Sequence, residues 1–356
     1  MMRVISIGLF GAMFLALFAA MPASAAPTTS LGISGAQYGT TPLYVTAETS
    51  FTLTAVDPLG SPVTQIWYQW DSYNYTKYVT PFNPIVEIAS TSNAPPLPMD
   101  LPDGLHTLHY NSTDSLGQTE AVNTKSVYVD NTLPTTNIVY EGTHAFAAGT
   151  DYITGATEIK FTSADAGSGV SATYYSLDGG ANVAYSVPFT VPAGAHTLKY
   201  YSVDNVQWAE TARTLNLVVD SDAPTVTIGV GEPSVTIGEV HYVPSSSVFT
   251  LIVEDISLTS ETVYMIDSGA WTAYTGAFSV PTAGEHTIKG RATDVLSQMS
   301  EEAIITVYID STAPLASVNG SAGALIEIES GDSLELVATD VGVGQCTIYY
   351  SLNGEP

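Results

Sequence analysis

The sequence predicts an all-β protein built from consecutive two-sheet sandwiches, each about 90 residues long and the last one incomplete. Three observations predict it. A junction motif recurs as "VYVDNTLP", "LVVDSDAP" and "VYIDSTAP", ending at Pro134, Pro224 and Pro314, so the spacing is 90 residues both times. The segments in between are short, alternating and rich in Thr, Val, Tyr and Ile, separated by Gly, Pro, Asp and Asn. That is the period of half-buried strands, and no stretch sustains a helical one. Finally, Asp178-Gly179 signals a tight hairpin, whose two central residues must tolerate positive φ.

The elements follow in chain order. Residues 1–25 hold Arg3, an apolar run and the small-residue signal Ala23-Ser24-Ala25, the pattern of a cleaved signal peptide, with an uncleaved amino-terminal anchor as the alternative. The first unit, 26–131, keeps the aromatic intervals Tyr68, Tyr78 and Phe82 and then carries an insertion, "NPIVEIASTSNAPPLPMDLPD". The second and third units, 132–221 and 222–311, align without gaps over "GAHTLKYYSVD" and "GEHTIKGRATD". Along the first of these strands His196, Leu198, Tyr200 and Ser202 face one way, and Thr197, Lys199, Tyr201 and Val203 the other, so one face is core and one is wet. Leu215, Leu217 and Val219, and in the next unit Ile305, Val307 and Ile309, are the inward positions of the closing strands. The fourth unit, 312–356, stops in the hairpin that matches Asp178-Gly179-Gly180, so the natural protein is expected to continue beyond Pro356.

Composition narrows the function classes. Eight Lys plus Arg against 35 Asp plus Glu give a net charge of -27, a surface that repels nucleic acid and anionic lipid and attracts cations. No segment after the leader is apolar enough to span a bilayer, so no transmembrane helix is expected in the mature chain. Cys346 is the single cysteine, and the sandwiches must therefore hold without disulfides.

On "YYSLDGGA", "HTLKYYSVD", "SADAGSGV" and the "VDSDAP" junction the chain resembles the bacterial and archaeal immunoglobulin-like repeat domains of secreted and cell-surface proteins. The resemblance implies an immunoglobulin-like sandwich in each unit and a role as a non-enzymatic adhesive or spacer rod, with a surface glycan or protein as partner. The alternative is an accessory array of a larger extracellular enzyme acting on polysaccharide, with its catalytic domain outside this sequence.

Candidate residues fall into three groups. His106, His196 and His286 recur once per unit, so they cannot share one reaction centre; each reads as a structural histidine bonded to a nearby turn. No nucleophile elbow, zinc-protease motif or phosphate loop is present, and the expectation is no catalysis. The aspartates carry the sharper hypothesis. Asp165, after the second strand of its unit, and Asp204, after the sixth, should meet Asp130 of the entering linker, and Asp220, Asp222, Asp255 and Asp294 should meet at the next junction, with Asp310 and Asp340 beginning another. Such clusters offer oxygen ligands suited to calcium, although each aspartate can equally cap its own turn. The third group is aromatic: Trp67, Trp70, Tyr73, Tyr75 and Tyr78 form a candidate ligand face next to the insertion, against the alternative of packing across a hairpin. Sequons begin at Asn74, Asn111 and Asn319.

Overall fold

The computed structural model describes residues 25–78, 85–88, 97–318, 335–340 and 348–349; the leader, Cys346 and the Asn319 sequon lie outside them. Among the described residues there are strands and turns and no helix. The first repeat contains β1 (Thr28–Ser34), β2 (Gln37–Tyr38), β3 (Tyr44–Val45), β4 (Ser50–Val56), β5 (Val63–Trp70), β6 (Thr76–Lys77), β7 (Ile85–Ile88), β8 (Leu97–Asp100), β9 (Gly104–Asp114) and β10 (Asn123–Val129). The second runs β11 (Thr135–Glu141), β12 (His144–Ala147), β13 (Thr150–Ile153), β14 (Glu158–Ala164), β15 (Val170–Leu177), β16 (Val183–Ala184), β17 (Gly194–Asp204) and β18 (Arg213–Val219). The third repeats that order as β19 (Thr225–Val230), β20 (Val235–Ile237), β21 (Val240–Pro244), β22 (Phe249–Glu254), β23 (Thr259–Ile266), β24 (Thr272–Ala273), β25 (Gly284–Asp294) and β26 (Ala303–Asp310). Of the fourth, β27 (Leu315–Val318) pairs with β28 (Leu336–Thr339).

Each full repeat has a two-stranded sheet facing a six-stranded one, in the second repeat β11-β14 and β12-β13-β18-β17-β15-β16. The alternation places Leu198, Tyr200, Ser202 and Asp204 inside β17 and leaves Lys199 exposed. Three separate cores result. Trp70 and Phe51 anchor the first, Phe161 and Leu198 the second, Phe249 and Ile288 the third. Ring stacking adds directional contacts, as in Tyr175 on Phe189 at 4.1 Å and Tyr264 on Phe278 at 3.9 Å. The insertion of the first repeat contributes the paired strands β7 and β8.

Counting seven strands per sandwich missed a two-stranded hairpin and expected three strands, where there are two, between the strand before Asp165 and the strand that Asp204 ends. A short hairpin, β12 with β13, turns through Ala148 and Gly149, both at positive φ, and hands the chain from the small sheet to the large one, where β13 runs parallel to β18. Asp165 therefore follows the fourth strand of its repeat and Asp204 the seventh. The turn position is unchanged; only the count differs.

The repeat histidines tie two turns together. His106 Nδ1 meets Asp71 Oδ2 at 2.6 Å and Nε2 meets the Pro102 carbonyl at 2.8 Å. His196 makes the same pair with Asp178 (2.8 Å) and Pro192 (3.1 Å), and His286 with Asp267 (2.9 Å) and the Thr282 carbonyl (3.0 Å). Each of these aspartates opens a hairpin at positive φ, 48°, 53° and 56°, and its Oδ1 also accepts the amide of the residue after the histidine. Asp178 is followed by Gly179 at φ 72°, as a primed two-residue turn requires.

The chain divides into two compact units. One takes the residues up to Thr136 with Ser163–Thr173 and Tyr201–Thr211; the other takes Asn137–Thr162, Tyr174–Tyr200 and the chain from Ala212 on. The linker aspartate Asp130 thus falls in the same unit as the second-repeat loops that hold Asp165 and Asp204, and Asp220 in the same unit as Asp255 and Asp294.

Candidate metal centres

Two groups of three carboxylates stand out among the described residues: Asp130, Asp165 and Asp204, and, 90 positions later, Asp220, Asp255 and Asp294. In each, one carboxylate oxygen per residue lies within 4.8 Å of the others. The outer two of each group by sequence are buried and the middle one is partly buried.

The first group is built from a linker end and two turns. Asp130 follows β10; its Oδ2 accepts the Ser168 amide at 2.6 Å and its Oδ1 the Thr132 amide at 3.2 Å. Asp165 follows β14, and its Oδ1 caps a turn by accepting the amides of Gly167 (3.0 Å) and Gly169 (2.8 Å). Asp204 ends β17, and its Oδ1 accepts the Trp208 amide at 2.8 Å. Asn205 locks the two turns together by donating to the carbonyls of Ser168 and Gly169. Turn capping thus uses one oxygen of Asp165 and one of Asp204. Their Oδ2 atoms are buried and have no hydrogen-bond partner among the described residues. Gly167 makes room for this arrangement, because a Cβ at that position would run into the Asp130 carboxylate.

The second group keeps the positions and changes the neighbours. Asp220 Oδ1 accepts the Asp222 amide, while its buried Oδ2 has no hydrogen-bond partner among the described residues. Ser257 Oγ donates to Asp255 Oδ2 at 3.0 Å and to Asp294 Oδ2 at 3.4 Å, and Gln298 Nε2 donates to Asp294 Oδ2 at 3.0 Å. Gly167 and Trp208 occupy the corresponding positions of the first group, whose donors among the described residues are backbone amides. Side-chain donors thus satisfy oxygens of the second group that have no counterpart donor in the first, whose hydrogen bonds come from backbone amides.

Burial and mutual repulsion show in the acid strengths. Asp204 is pushed above its ordinary 3.8 by burial first and by the charges of Asp130 and Asp165 next, against the pull of the Trp208 and Val206 amides. Asp255 is raised by burial, with Asp220 adding to it and Ser257 opposing. The isolated turn aspartates behave oppositely: Asp178 and Asp267 are held low by their histidine partners and by one amide each.

Several expected site residues sit elsewhere. Asp222 is exposed and outside the second trio; its amide caps Asp220 while its carboxylate faces solvent. Asp310 and Asp340 approach each other through Thr312, whose hydroxyl donates to both, without a third acid among the described residues. Trp70 is a core residue, 2% exposed and edge-on to Phe51 at 5.2 Å, so it cannot present its ring to a ligand. The inward parity of β5 explains this, since Tyr68 packs against the same core. Tyr73 and Tyr75 are exposed in the following turn, Trp67 and Tyr78 are half-buried, and Trp67 Nε1 donates to Gln65. Gly167, Ser257 and Gln298 were not singled out from sequence; the signal for the first was its place two residues after Asp165 in "SADAGSGV".

No family model matches the chain, and no curated protein is significantly similar to it. Among solved structures it is similar to fibronectin(III)-like modules of CbhA from Clostridium thermocellum, at 13% identity over 53% of this chain and 94% of that one, with a TM-score of 0.28. It is also similar to a chain of a 1.5-MDa bacterial ice-binding adhesin, at 12% identity over 81% and 100% of the two chains, TM-score 0.26. A third is SGBP-B of Bacteroides ovatus in complex with a mixed-linkage heptasaccharide, at 12% identity over 80% and 68%, TM-score 0.14. Likenesses this distant carry no argument about this chain, whose all-β fold stands on its own strand pairing.

Proposed function

We propose that this chain is a non-enzymatic, extracellular spacer or adhesive array whose repeats are joined by calcium. One observation carries the reading: the same three positions in two consecutive repeats bring carboxylates together around buried oxygens that capping leaves unpartnered. Burying ionised carboxylates without a partner is costly, and like charges within 5 Å add to that cost. A bound cation removes both penalties. All-oxygen donor sets suit hard ions, and calcium accepts the irregular mixture of carboxylate, carbonyl and water that two turns and a linker can offer, whereas zinc favours nitrogen and sulfur and magnesium demands a near-ideal octahedron. Because Asp130 ends one repeat and Asp165 and Asp204 belong to the next, an ion there ties a linker to the loops of the repeat it enters. The exposed Tyr73 and Tyr75 are the place for a glycan or protein partner in this scheme.

Hydrogen exchange tests the reading. In calcium the amides of Thr132, Ser168, Gly169 and Trp208, which all donate to the first trio, should exchange about tenfold or more slowly than in chelator, while the amides around Asp178 do not change. Equal exchange at these sites in both conditions would contradict it.

A further inference from the structure

The first repeat contains the same two turns without the linker acid. Asp57 Oδ1 accepts the amides of Leu59 at 2.8 Å and Ser61 at 3.0 Å, the i+2 and i+4 pattern of Asp165. Asp114 ends β9 as Asp204 ends β17, and its Oδ1 accepts the amides of Leu116 at 2.9 Å and Gln118 at 2.8 Å. The turns adjoin in the same way: Ser115 donates its amide to the Pro62 carbonyl at 2.8 Å, as Asn205 does to Gly169 at 3.0 Å. Asp114 is only 2% exposed, and the Oδ2 atoms of both Asp57 and Asp114 are buried with no hydrogen-bond partner among the described residues. The linker acids Asp130 and Asp220 stand four residues before Pro134 and Pro224; four residues before the corresponding Pro27 the sequence has Ala23.

We infer that Asp57 and Asp114 form a third calcium site, with two protein carboxylates where the others have three. The inference rests on the reading of the trios as calcium sites and extends it to the first repeat, where Ala23 stands in place of the linker acid. With one fewer carboxylate and more water in the coordination sphere, this site binds more weakly, since ligand charge count sets calcium affinity in such loops. The chain therefore loads in two stages.

The test is equilibrium dialysis of the full chain against calcium alone, for wild type, Asp114→Asn and Asp204→Asn. Asparagine keeps an Oδ1 acceptor for the turn amides, and unfolding curves in chelator check that each variant folds; Asp57→Asn replaces Asp114→Asn if that variant does not. The expected result is loss of one bound calcium per chain in Asp114→Asn, taken from the stage that fills at about tenfold higher calcium, and loss of one from the tighter stage in Asp204→Asn. If Asp204→Asn loses an ion and Asp114→Asn loses none, the third site is overturned and the trios stand. If neither variant changes the count, both are overturned.

Discussion

In calcium, Asp204→Asn should lower the stability of the chain, and in chelator the same substitution should raise it. The reversal of sign comes from the first trio. Without a cation, the Asp204 carboxylate is buried, unpartnered at Oδ2 and within 4.8 Å of Asp130 and Asp165, so removing its charge relieves repulsion, while asparagine still caps the turn through Oδ1. With calcium at roughly 10 to 100 times its dissociation constant, a native-state site contributes about 1.4–2.7 kcal/mol, and the variant forfeits most of that. A plain turn cap, which asparagine preserves, predicts the same small effect in both conditions. Acid should mimic the ion in part. Carboxylates with raised folded pKa, Asp204 and Asp255, make the chelated protein relatively more stable as pH falls through those raised values towards 3.8. Asp178 and Asp267 have depressed values and work the other way: their contribution is complete above 3.8 and is lost as pH drops further, through their folded values. Stability in chelator should therefore pass through a maximum in mild acid, and in calcium that rise should vanish. Thermal unfolding at several pH values, with and without the ion, reads both effects.

Trp70→Ala is the second large effect, and it is an effect on folding. The indole is the largest side chain in the first core, it meets Phe51 edge-on, and its removal leaves a cavity that three small neighbouring valines, Val45, Val127 and Val129, cannot fill. A loss of about 3–5 kcal/mol is expected, which for one sandwich lowers its melting temperature by on the order of 12 °C or more. Because the three cores are separate clusters, calorimetry should show the first repeat melting early while the transitions of the others stay in place. Tyr75→Ala, half-exposed on the following turn, should move stability by less than about 0.5 kcal/mol. A binding loss in Tyr75→Ala would thus report on a ligand, whereas one in Trp70→Ala would report on a damaged fold.

The sandwich was legible because its signals are local and repeated. Alternation along "HTLKYYSVD" marks Leu198 and Tyr200 as core, and Asp178-Gly179 marks its hairpin, since both properties depend on backbone geometry within a few residues. The meeting of Asp130, Asp165 and Asp204 was readable one level higher, from which turns a sandwich places at the end where the chain enters. Other features depended on information that spacing lacks. The β12–β13 hairpin is too short to show a period. Asp222 differs from Asp220 by which way a linker residue points, and Trp70 differs from Trp67 by strand parity next to a turn that resets the register. The pair Asp57 and Asp114 was masked by the insertion, which moves Asp57 off the 90-residue spacing that links Asp165 to Asp255.

Terbium luminescence tests the central claim most directly. Trp208 donates its backbone amide to Asp204, so its residue adjoins the first trio and its indole is the expected sensitiser of a lanthanide held there as a calcium substitute. Tryptophan-excited terbium emission should appear on titration, fall as calcium displaces the lanthanide, and be reduced both in Asp204→Asn and in Trp208→Phe by the share that the first trio contributes, while Trp208→Phe keeps its stabilisation by calcium. Emission that is absent, that calcium does not displace, or that neither substitution diminishes would contradict a cation site at Asp130, Asp165 and Asp204.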